Sequence, residues 1–341
     1  MHQVSFARIL ILALIVFGIA ACGKSSNEDL HEARQLLAVG ETEQALEAYK
    51  KILVDDPHQA EAHRRVAEIY IDQDKIEEAR EHVTEAVALA PEDPDTFYVH
   101  GRFLLAQKLW LQAGETLEIA ARENLFDPDV QFYFAAALAK LGEQEKAIYA
   151  LLKVQGMKPD YPGVNAGIGD LYFYTGAYDK AMQSYEQAIV ETPDDARIIE
   201  NLALAYHYQK FNDSAEKMAK RALELNPESA GAYNILGAVA FAHRDIDEAE
   251  KHFKKAILLD PKLTAPHVNL GAIFNAKGKI DESLAEYQKA LELEPGNIPV
   301  QKNLGDLYFT KGEISLALEH YRTYHQQRPK DPFVAYVSAK L

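Results

Sequence analysis

Apolar side chains recur along most of this chain at the spacing of one helix face, in short segments that come in pairs. The stretch 162–195 shows one pair clearly, with two apolar-periodic segments separated by Gly176 and a stop at Pro193. Small residues such as Gly169 stand among large ones such as Ile168 and Tyr185. This spacing predicts two antiparallel helices that approach closely at the small residues and interlock through the large ones.

The same pair of segments returns every 34 residues. The position of Gly169 is Gly or Ala in all nine copies, and the position of Ala181 is Ala in eight copies and Ser283 in the other. Pro closes eight of the nine copies, and Leu125 stands in its place in the third. The aromatic residue at Tyr185 has equivalents at Tyr49, Phe253, Tyr287 and Tyr321. Because one hairpin cannot bury its apolar face alone, the repeat predicts a stack of hairpins.

This small, aromatic and proline signature with a period of 34 resembles the tetratricopeptide repeat (TPR). The resemblance covers nine units over residues 28–331 and implies an all-α fold, a solenoid of helical hairpins wound as a right-handed superhelix. Residues 332–341 begin a tenth first helix, and we expect them to form a C-terminal capping helix. Leu125 followed by Pro128 predicts a locally irregular junction between residues 124 and 129.

Residues 1–21 are predicted to be a signal peptide. Arg8 precedes an apolar run of 13 residues, 9–21, which is short for a membrane span and typical of a secretory signal core. The run ends in Ile-Ala-Ala-Cys, which resembles the lipobox of bacterial lipoproteins and implies cleavage after Ala21 and lipid attachment to Cys22. Cys22 is the only cysteine of the chain, as this interpretation expects. An ordinary signal peptide or an uncleaved anchor is the alternative.

The residue after Cys22 bears on where such a lipoprotein would reside. Residues 22–27 would form a polar tether, in which Gly23 rather than Asp follows the lipidated cysteine. By the enteric sorting rule this resembles cargo of the outer membrane. We therefore expect a lipid-anchored protein of the bacterial envelope, on the outer membrane and facing the periplasm.

Composition and motifs argue against catalysis and against duplex nucleic acid. The chain has 36 basic and 52 acidic residues, a net charge of −16, whereas nucleic-acid binding needs a basic face. The letters G-x-x-x-x-G-K-[ST] occur only at residues 18–25, across the predicted cleavage site after Ala21 and outside the repeats, no zinc-binding H-E-x-x-H is present, and the histidines are scattered. The sequence predicts a protein that is not an enzyme and binds no cofactor or metal.

The TPR resemblance implies a binding groove lined by the first helices of the hairpins. Family positions that face the groove carry aromatic side chains in units three to five and mainly amides in units six to nine. The candidate groove residues are Arg65, Tyr98, Arg102, Phe132, Tyr133, Phe173, Tyr174, Asn201, Tyr208, Asn234, Asn269, Lys302 and Asn303. Aromatic rings suit apolar side chains or sugar faces, and amides suit an extended backbone. Trp110 opens a second helix and is interpreted as a seal between hairpins.

The favoured function is a scaffold that holds a peptide or protein partner during envelope assembly or export, as in pilus, outer-membrane protein or polysaccharide export machinery. A solute- or glycan-binding lipoprotein and an adaptor for cell-wall hydrolases are the alternatives. Some TPR proteins grip a terminal carboxylate with a clamp that needs Lys at the fifth repeat position. In units six to nine only Lys302 is a lysine at that position, which argues against this class of TPR protein.

Overall fold

The computed structural model of the protein describes residues 26–329 and Asp331. The predicted signal peptide, the predicted lipidation site Cys22 and the predicted C-terminal capping helix lie outside these residues. Every regular element described is an α-helix, as the sequence predicts, and the helices follow one another as hairpins. No described helix combines the length and the apolar character that crossing a bilayer requires.

The chain divides into two compact units, Met1–Tyr161 and Pro162–Leu341. The described helices of the first, which we call the N-terminal unit, are α1 (Ser26–Ala38), α2 (Thr42–Asp55), α3 (Ala60–Asp72), α4 (Ile76–Leu89), α5 (Pro94–Ala106), α6 (Trp110–Glu123), α7 (Pro128–Lys140) and α8 (Gln144–Met157). Those of the C-terminal unit are α9 (Val164–Tyr174), α10 (Tyr178–Glu191), α11 (Ala196–Tyr208), α12 (Asn212–Leu225), α13 (Ala230–Ala242), α14 (Ile246–Leu259), α15 (Thr264–Ala276), α16 (Ile280–Leu293), α17 (Ile298–Thr310) and α18 (Ile314–Gln327).

Short polar side chains set where several first helices begin. Asp127 accepts hydrogen bonds from the backbone N–H groups of Asp129 and Val130 at the start of α7, and Asp195 does the same at the start of α11. Ser229 caps α13 in the same manner. These carboxylate and hydroxyl oxygens satisfy N–H groups that have no partner within the helix.

A three-residue turn joins the two helices of each hairpin, and its middle residue has a left-handed backbone. In the turn after α9, Gly176 has φ +79°, and the N–H of Ala177 donates to the carbonyl of Tyr172 over 2.9 Å. This bond closes the helix end as a Schellman motif does. Where glycine is absent from that position, as at Lys210 and Arg244, the side-chain residue adopts the same left-handed conformation.

The irregular junction predicted at residues 124–129 is not observed. The N–H of Asn124 donates to Ala120 and that of Asp127 to Asn124, the same pattern that a proline-containing junction forms at Thr192 and Asp195. Leu125 is 50% exposed, so no packing depends on a proline ring there. That prediction is wrong, because two backbone hydrogen bonds rather than the proline define the turn.

One junction between hairpins is longer than the others, and it spans residues 158–163 between α8 and α9. Six residues connect these helices where the other junctions between hairpins have four. Gly163 precedes α9 with φ +79°. Tyr161 is buried, and its ring centre lies 5.1 Å from that of Phe132 in the N-terminal unit.

Candidate functional site

The first helices of successive hairpins pack directly on one another within each unit. In the N-terminal unit α3 packs on α5 and α5 on α7, and in the C-terminal unit α9, α11, α13 and α15 form the same kind of series. We call the surface that these helices share the first-helix face of each unit. The candidate residues from the sequence all belong to first helices, so their surroundings on these faces decide what each could bind.

Arg102 is the centre of a charged and aromatic group on the first-helix face of the N-terminal unit, which we call the Arg102 cluster (Glu68, Asp72, Tyr98, Arg102 and Tyr133). Its Nη2 forms an ion pair with Asp72, and its Nη1 lies 3.6 Å from Oε1 of Glu68. The guanidinium carbon lies 5.4 Å from the ring centre of Tyr98 and 4.5 Å from that of Tyr133. A cation over an aromatic face is attracted by the ring quadrupole, so the two rings hold the guanidinium between them.

The cluster has a fixed charge distribution. Burial would by itself lower the pKa of Arg102, but the neighbouring Tyr98, Tyr133 and Asp72 together raise it above its ordinary value. Burial raises the pKa of Tyr98 and of Tyr133, against the opposing effect of Arg102. Arg102 therefore stays cationic and both phenols stay neutral throughout the physiological pH range.

Arg102 differs from the expectation of an exposed groove residue. Its side chain is only 5% exposed, and its Nε is a buried donor without a hydrogen-bond partner in the described structure. Arg65 is two-thirds buried and pairs with Glu68 over 2.7 Å. Arg102 joins α5 to α3, because it faces Glu68 and Asp72 of α3, whereas Arg65 lies on α3 and pairs with Glu68 of the same helix.

A cavity of about 490 Å³ opens beside the Arg102 cluster, and we call it the Trp110 cavity. Its apolar walls are Ile71, Leu105, Ala106, Trp110, Phe132, Tyr133 and Ala136. Its charged lining residues are Asp72, Arg102 and Lys140. The Lys140 ammonium lies 5.7 Å from the ring centre of Trp110. Trp110 thus lines a cavity, and its interpretation as a seal alone missed this because the sequence does not show which side chains of neighbouring hairpins lie beside it.

Aromatic side chains also gather on the C-terminal unit, around Tyr208. The rings of Tyr178 and Tyr208 are stacked at 4.4 Å and 13°, and Phe173 contacts both edge-on at 5.1 and 5.5 Å. Burial raises the pKa of the Tyr208 phenol, and Tyr178 raises it further. Tyr174 stands apart from this stack and is 76% exposed. The sequence predicts Phe173, Tyr174 and Tyr208 in the groove but not Tyr178, which lies on the second helix α10.

The predicted amide row forms hydrogen bonds within the protein. Asn201 donates to Asp170 over 3.0 Å, and Asn269 donates to Asn234 over 3.2 Å, in each case between neighbouring first helices. Burial raises the pKa of Tyr287 to about 12 against the effect of a hydrogen bond with Asn303. Each amide has further donor and acceptor capacity, so it can still contact a ligand while it joins two hairpins.

Asp170 and Asp306 occupy equivalent positions in the C-terminal unit and were not among the candidates. Asp170 accepts from Tyr185 over 2.7 Å as well as from Asn201, and Asp306 accepts from Tyr321 over 2.7 Å and from Lys302 over 2.9 Å. The Tyr and Asp residues recur together in the sequence, which is the signal that could have identified these pairs. Their role is to position the groove residues Asn201 and Lys302.

Sequence models described as TPR repeat or tetratricopeptide repeat match residues 36–96, 169–210, 200–263 and 271–312. These matches lie in both units and agree with the helical hairpins that each unit contains. The chain is a tetratricopeptide repeat protein. The family resemblance read from the 34-residue period is confirmed.

Solved structures of low sequence identity share the fold of this TPR protein. The Cut9–Hcn1 hetero-tetramer of the APC/C aligns with a TM-score of 0.58 and 17% identity, over 86% of this chain and 56% of that chain. PilF of Pseudomonas aeruginosa aligns with a TM-score of 0.51 and 16% identity, over 63% of this chain and 97% of that chain. At these identities the likeness concerns the fold alone.

Curated relatives of the TPR protein match only part of it. The human protein O-mannosyl-transferase TMTC1 is 30% identical over 178 residues, which is 48% of this chain and 19% of the relative. The mouse protein of the same name is 25% identical over 171 residues, 50% of this chain and 15% of the relative. This chain therefore spans less than a fifth of the length of these relatives.

Proposed function

We propose that this TPR protein is a non-catalytic scaffold that holds a segment of a partner protein on its first-helix faces. We further propose that it does so at a bacterial membrane, to which a lipid on Cys22 anchors it, during assembly or export of envelope machinery. The outer membrane, facing the periplasm, is the proposed location.

Exposed aromatic rings at the ends of the first helices carry this proposal. Tyr174, Tyr208, Phe241 and Phe309 end or nearly end α9, α11, α13 and α17, and their exposed fractions are 76%, 52%, 42% and 50%. Scattered apolar side chains on a surface need no explanation, but aromatics that recur at two adjacent repeat positions, Tyr174 with Tyr208 and Phe241 with Phe309, form a surface suited to a partner. Their rings provide large contact areas at low entropic cost, which is typical of protein interfaces.

The lipobox-like Ile19–Cys22 supports the anchoring part of the proposal. Attachment of more than one acyl chain would give stable membrane binding, because each buried methylene contributes about 0.8 kcal/mol. The absence of any other cysteine agrees with a thiol used for lipid attachment.

The test is crosslinking in the native envelope, followed by capture and identification of the partner and by binding measurements with the purified pair. Replacing both Tyr174 and Tyr208 by Ala should weaken binding about tenfold or more, since truncated aromatic anchors at interfaces commonly cost 1–2 kcal/mol each. Tyr149, which is 65% exposed on the second helix α8, provides the matched control Tyr149→Ala.

Helicity should be unchanged in all variants, because these side chains are exposed. Equal binding by the double variant and the control would contradict the use of the first-helix face. The captured protein also separates the alternatives: a cell-wall hydrolase would identify an adaptor for hydrolases, and a component of an export or assembly machine would support the favoured function.

A further inference from the structure

We infer that the Trp110 cavity binds peptide segments in which a bulky apolar side chain stands next to a carboxylate, as in Phe-Glu. The inference rests on the proposed function and makes it specific, because it assigns a partner chemistry to one place on the N-terminal unit. Four observations support it: the volume of the cavity, its apolar walls, its charge and the position of Lys140.

The volume and the walls fit a side chain larger than a methyl group. The cavity holds about 490 Å³, within the range of about 300–1,000 Å³ that is usual for ligand sites. The small Ala106 and Ala136 line it together with the large rings of Trp110 and Tyr133. A bulky apolar side chain placed against these rings would displace water from them.

The charge of the lining is opposite to that of the whole chain. Two cationic residues, Arg102 and Lys140, line the cavity with a single carboxylate, Asp72. The chain as a whole has 52 acidic and 36 basic residues. Asp72 is already paired with Arg102, so the charge that remains for a ligand is the positive charge of Lys140. A carboxylate in the cavity therefore meets a net positive charge, although the chain as a whole is acidic.

Lys140 is placed to take such a carboxylate. It is the last residue of α7, exposed, and contacts the Trp110 ring without any carboxylate partner in the described part of the chain. A ligand whose apolar group contacts Trp110 can reach the Lys140 ammonium with an acid one residue away. A cationic ligand would instead be repelled by Lys140 and Arg102, and a neutral one would leave Lys140 unpaired.

Trp110 is the only tryptophan, so its fluorescence reports on this cavity alone. The full-length purified protein would be titrated with acetyl-Gly-Phe-Glu-Gly-amide and with two matched peptides, one with Gln in place of Glu and one with Lys. We expect a saturable change with the Glu peptide, binding about threefold to tenfold weaker with the Gln peptide, and the weakest binding with the Lys peptide. Raising the salt concentration should reduce the difference between the Glu and Gln peptides.

The variant Lys140→Gln should remove the preference for the Glu peptide, and Lys140→Arg should keep it. Lys153→Gln is the matched control, because Lys153 also lies over an aromatic ring, 4.9 Å from that of Tyr149, but on α8 and outside the cavity lining. Equal binding of the Glu, Gln and Lys peptides would overturn the inference. A fluorescence change with maltose but with none of the peptides would overturn it in favour of solute binding.

The outcome is separable from that of the proposed function. Loss of partner capture in the Tyr174 and Tyr208 variant tests the C-terminal unit and does not depend on Trp110. Partner capture that persists while the Glu peptide fails to bind would refute this inference and leave the scaffold function in place.

Discussion

A Cβ atom added to Gly169 would lie 2.6 Å from Cε1 of Tyr185, on the opposite helix of the same hairpin. The same approach recurs between Gly237 and Phe253 and between Gly271 and Tyr287, at 2.7 and 2.9 Å. The small residue and the aromatic residue sixteen positions later therefore pack as one unit. This approach leaves no room for a larger side chain at Gly169, Gly237 or Gly271.

Gly169→Ala should lower the free energy of unfolding by about 1–3 kcal/mol, because the buried Tyr185 ring must shift to admit the methyl group. Gly156→Ala is the matched control: it lies in α8 with no atom within 4 Å of an added Cβ, and the higher helix propensity of alanine should raise stability by up to about 1 kcal/mol. Urea unfolding followed by circular dichroism measures both. Equal stability of the two variants would contradict the packing described.

Replacing Lys210 or Arg244 in the hairpin turns by glycine should stabilise the protein. Both have left-handed backbones, with φ of 65° and 66°, at a position where Gly176 and its equivalents have glycine. Lys210→Gly and Arg244→Gly should each raise the free energy of unfolding by about 0.5–1 kcal/mol, because relief of the left-handed strain exceeds the added entropy of the unfolded chain. Gly176→Ala should lower it by about 1 kcal/mol. Thermal unfolding of the three variants tests the turn, and a loss of stability with either glycine would refute it.

Acid should lower the stability of the C-terminal unit by protonating Glu250. Hydrogen bonds from Lys254 and from Lys277, each of 2.6 Å, lower the pKa of Glu250 to about 2. Lys277 is the C-cap of α15, the first helix of the following hairpin, so the carboxylate of Glu250 joins two hairpins. Because the folded-state pKa lies below the ordinary value of 4.5, the contribution is fully present above about pH 4.5 and is lost as the pH falls towards 2.

Glu250→Gln should therefore destabilise the protein at pH 7 and much less at pH 3, measured as urea midpoints at both pH values. Glu224→Gln is the control, since Glu224 is exposed on α12 and forms no ion pair among the described residues. A destabilisation by Glu250→Gln that is the same at both pH values would show that the ionised form is not what stabilises the junction.

Lipid anchoring predicts a change in fractionation. Cys22→Ser should leave the protein without its lipid and release it from membranes, because the lipid is the proposed anchor. The measurement is the share of protein in the membrane fraction after a high-salt wash, with incorporation of labelled palmitate as the direct readout. A Cys22→Ser protein that stays with the membranes would count against the anchor.

Local side-chain chemistry determined the repeated fold. The 34-residue recurrence of small residues such as Gly169 and large ones such as Tyr185 predicts paired helices, and the structure has them. The same reasoning failed at Leu125, where the sequence predicts irregularity and the backbone forms an ordinary four-residue junction. Proline is a frequent companion of that turn, but backbone hydrogen bonds define it.

The sequence by itself determined the class of fold and the pairing of its helices into hairpins, because both depend on contacts that recur at a fixed distance along the chain. Only the tertiary structure decided that Arg102 is buried between two tyrosines and that Trp110 and Lys140 border a cavity. Those facts depend on the sizes and charges of side chains from three successive first helices and the start of a second, which meet only when the hairpins stack. The repeat pattern determines which face of a helix each side chain lies on. Whether that side chain is buried, paired or free to bind depends on the neighbouring side chains that the stacking of the hairpins brings against it.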